Sequence, residues 1–224
     1  MMKEKQKAIS RNTAGIVNSK KLLNTALGLA IFTIAYNLIE GFIATYLGLE
    51  DESLALFGFG ADSFIEVISG IGIVHMIVRI KKNPGSSRDK FERTALRITG
   101  FAFFLLVIAL LASSIYNIWV DHKPITTIYG VVISLISIVV MLILVAWKKK
   151  VGSKLDSEPI IADANCTMVC VYMSIILLIS SGVYELSGIG YIDSLGTLGL
   201  AYFAFKEGRE CFEKAASKRY CGCD

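Results

Sequence analysis

The sequence predicts an all-α membrane protein: a six-transmembrane-helix bundle with both termini cytoplasmic and no C-terminal soluble domain. Three observations predict it. Hydrophobic residues make up 54% of the 224, and the mean hydropathy is +0.60, above what a soluble domain of this size carries. Charge is gathered into short blocks between long apolar runs. Blocks rich in Lys and Arg alternate strictly with blocks that nearly lack them. The net charge of +4 is therefore a topology signal, and no nucleic-acid partner is expected.

Taken in order, residues 1–21 (MMKEKQKAISRNTAGIVNSK and the next lysine) are basic and polar. They lack the apolar core and small-residue cleavage site of a signal peptide, and read as a cytoplasmic leader. Apolar runs follow at 22–47, 53–78, 94–119, 125–147, 159–182 and 189–205. Most are long enough to cross about 30 Å of hydrocarbon at about 1.5 Å per residue. The last is the shortest and reads on through Phe205 into an amphipathic stretch. The transport domain is thus expected over 22–207, and a short cytoplasmic tail ending in Cys-x-Cys over 208–224. Ser, Thr and Gly within the runs let helices approach closely, whereas an open sheet could not satisfy its backbone in lipid.

Orientation follows from the connections. The leader, RIKKNPGSSRDKFER, KKKVGSK and the segment from Lys206 hold nearly all the Lys and Arg. GLEDE, VDHKP and YELSGIGYID hold only Lys123, so these face outward and both termini face the cytoplasm. The basic loops also suit contact with anionic lipid. None of the five cysteines lies in an outer connection, which disfavours a disulfide framework. No GxxxxGK[ST] is present, which excludes transport driven by ATP hydrolysis in this chain, and no enzyme activity is expected.

Ionisable groups inside an apolar span are costly and usually functional. Asp62 and Glu66 lie four apart near the middle of the second run, on one helical face. Cys166 and Cys170 repeat that spacing in the fifth run, at a similar expected depth. Together the two pairs could converge as four oxygen and sulfur ligands on one cation, a set that suits Zn²⁺ and softer ions. Alone, the cysteines would read as small apolar fillers. Asn37 and Glu40 either line a cavity or hydrogen-bond between helices. Asp163 either sits at a cavity mouth or caps a basic neighbour. His75 reads as an interfacial histidine. Cys221 and Cys223 either capture thiophilic cations or belong to a silent terminus.

These segments resemble the cation diffusion facilitator family of divalent-metal transporters. ESLALFGFGADSFIEVIS is similar to that family's segment with two acidic ligands, and IIADANCTMVC to its A-D-x-x-H-x-x-x-D pattern. YIDSLGTLGLAYFAFKEGRE is similar to the family's last helix. The resemblance implies that Asp62 and Glu66 are metal ligands and that Cys166 and Cys170 stand where the family has His and Asp. Thiols there soften the site and favour Zn²⁺, Cd²⁺, Pb²⁺ or Hg²⁺ over Mn²⁺ and Fe²⁺. It further implies a homodimer in the plasma membrane that exports metal in exchange for protons, with no permanent cofactor. The family's cytoplasmic ferredoxin-like domain is not expected, since about eighteen residues after the sixth span are too few for a core. A metal-binding membrane sensor and a membrane thiol oxidoreductase are the alternatives.

Overall fold

Every regular element among the described residues is an α-helix. The computed structural model describes residues 2–83, 90–120 and 123–216, with the backbone alone for residues 2–19 and 158–159. The helices are α1 (Met2–Glu50), α2 (Leu54–Lys82), α3 (Lys90–Trp119), α4 (Ile128–Leu155), α5 (Glu158–Ser187) and α6 (Tyr191–Ala216).

Each expected apolar run maps onto one helix, those at 53–78, 125–147 and 189–205 starting one to three residues before it, and the polar punctuation supplies the ends. The basic leader is helical too and continues into the first span without a break, the apolar part being Lys20–Glu50. Ser53 caps α2, its hydroxyl accepting from the Leu56 N–H. Gly188, at φ 66°, ends α5 in the left-handed conformation that glycine adopts without a Cβ clash.

The Lys20–Glu50 part of α1 and α2 to α5 are long and apolar enough to cross a membrane. The 26 residues of α6 span about 39 Å, which is sufficient length. Its second half, however, carries Lys206, Glu207, Arg209, Glu210, Glu213 and Lys214. Those charges do not mark a departing tail. The helix runs through the expected 207/208 boundary to Ala216, with Gly208, Cys211, Lys214 and Ala215 buried. Phe212 stacks on Phe104 of α3 at 5.7 Å, which fixes this half of α6 against the bundle.

The closest helix pairs are α1 with α2, α3 with α6 and α4 with α5, and α2 also touches α3, α5 and α6. A core of Leu56, Phe59, Leu110, Met173, Leu177 and Leu200 joins α2, α3, α5 and α6. The perimeter is apolar as well: Phe42 and Ile108 are each 64% exposed, a surface that requires lipid.

The end of the bundle away from the basic loops is tied by polar bonds. The Ser53 hydroxyl donates to Asp193 Oδ1 at 2.6 Å, and the Leu54 N–H donates to Oδ2 at 2.9 Å. Between loops, the Ile125 N–H donates to the Asp51 carbonyl at 2.9 Å. Glu185 accepts from the Thr127 N–H at 3.0 Å, and the Tyr184 hydroxyl donates to the Pro124 carbonyl.

Candidate metal centre

The helical period of α2 turns Asp62 and Glu66 to the bundle interior, where Asp62 is 2% exposed. Both Glu66 oxygens are engaged by other helices. Oε1 accepts from the Cys170 thiol of α5, and Oε2 accepts from Asn37 Nδ2 of α1 at 2.6 Å. Around this contact, Asp62 Oδ1 and Asn37 Oδ1 are buried acceptors with no hydrogen-bond partner. Such orphaned oxygens are rare in folded interiors and suit a cation in place of a donor. Asn37 therefore bridges helices and faces the site at once. Glu40 takes the bridging role alone: it accepts from Tyr36 at 2.8 Å and from Ser63 at 3.2 Å.

The single level expected for the four residues is resolved into three. Because α2 and α5 run antiparallel, a Glu66–Cys170 contact puts Asp62 one turn, about 6 Å, toward one end and Cys166 one turn toward the other. Cys170 accordingly senses the charges of Glu66 and Asp62 and Cys166 those of Lys214 and Asp163, while Glu207 acts on both. The Lys214 ammonium stands 3.2 Å from Cys166 Sγ. Among the described residues no three His, Cys, Asp or Glu side chains converge closely enough to hold a metal ion. The donors of the anticipated set thus share one region of the bundle, with Asp62 and Cys166 on opposite sides of the Glu66–Cys170 contact.

A cavity of about 100 Å³ extends from this contact toward the basic-loop end of the bundle. Asn37, Glu66, Cys170, Cys166, Glu207 and Cys211 are among the polar and thiol groups that line it. That volume admits several water molecules, so the lining groups are not sealed in hydrocarbon. Asp163 lines the cavity and pairs with the Lys148 ammonium at 3.0 Å. His75 lies near the same end, 3.6 Å from Glu92 and with its ring 4.5 Å from that of Phe91. Glu92 also accepts two bonds from Arg79, each at 2.8 Å, which ties α2 to α3 there. Cys221 and Cys223 lie outside the described residues.

Several interior residues escape a reading by hydropathy. Glu207, Cys211 and Lys214 line the cavity from α6. Their i, i+4, i+7 spacing was a usable signal, since that stripe continues the buried Leu200 and Ala204. Glu207 Oε1 is another buried acceptor without a partner. Lys148, the first of three consecutive lysines, is 2% exposed rather than in the loop. It also accepts a place beside Thr167, donating to that hydroxyl at 2.9 Å. Nothing local distinguishes it from Lys149 or Lys150. Residues 29–218 of the chain match the cation efflux transmembrane domain.

Proposed function

This chain belongs to the cation efflux family of transmembrane transporters, and from that premise we propose that it exports divalent heavy-metal cations of the zinc and cadmium class by metal/proton antiport. The family is one of transporters and not enzymes, which sets aside the thiol oxidoreductase alternative.

The observation that carries the proposal is the Glu66–Cys170 contact between α2 and α5, flanked by the orphaned oxygens of Asp62 and Asn37. A thiol that donates to a carboxylate holds one proton between two good metal ligands. A cation that takes both atoms must release that proton, because thiolate and carboxylate are the ligating forms. Metal and proton thus compete for the same atoms, which is the minimum requirement for exchange transport.

In the proposed cycle, a cation enters the cavity from the cytoplasmic, basic-loop end and reaches Asp62, Glu66 and Cys170. Cys166 joins as the fourth ligand when α2 and α5 move by about one turn relative to each other or when its side chain is freed. Rocking of the helices then opens the other end, where the Asp193 and Glu185 bonds must part. Protons from outside return to the thiols and carboxylates and release the metal. The outer bonds and the cavity directed at the basic end support an inward-facing resting state. Two thiols beside two carboxylates favour Zn²⁺, Cd²⁺, Hg²⁺ or Pb²⁺ over harder ions. A homodimer in the plasma membrane completes the reading.

The test is flux of Zn²⁺, Cd²⁺ and Hg²⁺ in proteoliposomes under an imposed pH gradient. Wild type is compared with Asp62→Ala and with the Cys166→Ser, Cys170→Ser double variant. Gradient-driven flux that disappears in both variants is expected. Flux of none of these ions, or flux indifferent to the substitutions, refutes the proposal and leaves a metal-holding sensor as the better account.

A further inference from the structure

The position of Lys214 carries an inference about how the cavity selects its cargo. This side chain belongs to α6, is 7% exposed, and projects into the cavity that the proposed transport site shares. A buried ammonium persists only where partners compensate its lost hydration. Two of its partners lie in different directions. One is Cys166 Sγ of α5 at 3.2 Å; the other is Glu210 Oε2, one turn back on α6, at 3.1 Å. The Glu210 side chain is 23% exposed against 9% for that of Lys214. Glu207, with its orphaned Oε1, is a third acidic group near the ammonium.

We propose that Lys214 is a tethered cation that occupies Cys166 when no metal is bound and that the transported ion must displace toward Glu210. The inference rests on the proposed role of Cys166 as a ligand. A divalent ion at that sulfur and an ammonium about 3 Å from it are like charges in a poorly screened interior and cannot both remain. The flexible four-carbon stem lets the ammonium shift from the sulfur onto Glu210 without backbone motion. The arrangement gives the Cys166 sulfur a cationic partner in the metal-free cavity. It also sets a threshold on cargo. Soft ions gain enough from a thiolate to displace the lysine, whereas Mg²⁺ and Ca²⁺ gain little from sulfur and do not.

The experiment measures Cd²⁺ affinity of the purified full chain in nanodiscs, by competition with a chromophoric chelator at fixed pH. Lys214→Met tightens Cd²⁺ binding by about tenfold, the scale set by one hydrogen bond to a charged group. Lys214→Arg stays close to wild type. Glu210→Gln weakens binding when Lys214 is present and has no effect in the Lys214→Met background. In the unaltered protein, Cd²⁺ increases labelling of Lys214 by a small amine reagent, a readout that needs no substitution. Unchanged or weaker binding in Lys214→Met, an equal Glu210→Gln effect in both backgrounds, or labelling that metal leaves unchanged would each overturn the inference. Cys166→Ser separates this failure from that of the transport site. If it binds Cd²⁺ as wild type does, Cys166 is no ligand and the tethered cation falls with it, leaving the Glu66–Cys170 site to its own flux test; if it loses affinity while Lys214→Met is neutral, only the tethered cation falls.

Discussion

Replacing Asp193 with alanine removes the two acceptor oxygens that hold the start of α2 to the start of α6. The carboxylate is 2% exposed and receives the Ser53 hydroxyl at 2.6 Å and the Leu54 N–H at 2.9 Å. A hydrogen bond to a charged group contributes about 1.5–3 kcal/mol net. Water reaches the outer end of the bundle more readily than its centre, so the lower part of that range applies. The pair together is then worth about 3 kcal/mol, or roughly a hundredfold in an equilibrium constant. Ser53 keeps its cap on the Leu56 N–H, so α2 itself should remain helical. The loss should therefore appear as local opening between α2 and α6, not as unfolding of either. Hydrogen exchange followed by mass spectrometry in nanodiscs reads this directly. Peptides covering residues 50–57 and 190–197 should lose up to about a hundredfold in protection, while peptides from α3 and α4 keep theirs. Unchanged exchange at 50–57, or a uniform loss across all helices, would refute the reasoning. In the first case the bonds carry no load; in the second they serve global stability and not the outer closure.

Three further outcomes follow from the same geometry. Lys148→Met strands the Asp163 carboxylate, whose partner lies at 3.0 Å, and should destabilise the protein by about 3 kcal/mol; adding Asp163→Asn should recover part of the thermal midpoint in detergent, and additive losses would contradict the pairing. Gly196→Ala drives a methyl into the Ser180 side chain and should lower the thermal midpoint, whereas Gly182→Ala meets open space and should be neutral or raise stability by up to about 1 kcal/mol; equal effects at both sites would refute that packing. Cd²⁺ affinity should fall as pH falls from about 8 to 6, because the thiols of the free protein hold protons that metal binding must release, and acid opposes that release. The logarithmic slope should approach about two for two thiols and drop by about one in Cys170→Ser; a flat profile would exclude thiolate ligation.

Hydropathy and charge period are local quantities, and the features that depend on them were legible in the sequence. The apolar runs, the alternation of basic loops and the i, i+4 pairs at Asp62–Glu66 and Cys166–Cys170 need only the geometry of one helix and the dielectric of lipid. The end of α6 was harder, because its second half is charged and its burial comes from α3 and α5 rather than from its own composition.

Contact between side chains is a different quantity, set by how helices far apart in the chain are rotated and shifted against one another. Two equal spacings on α2 and α5 suggest a common level, yet only their relative shift decides that Glu66 meets Cys170 while Cys166 meets Lys214. Lys148 illustrates the point within a single run: three adjacent lysines are alike in sequence, and the rotation of α4 alone sends the first to Asp163. Asp193 reads as an ordinary first-turn acid until α6 docks beside Ser53, 140 residues earlier. By itself the sequence determined a six-helix membrane bundle and the residue types that could bind a cation, because hydrophobic transfer and helical period act along the chain. Only the tertiary structure decided which of those residues share a cavity, which hold each other's charges and which lysine guards them, because electrostatic pairing acts through space.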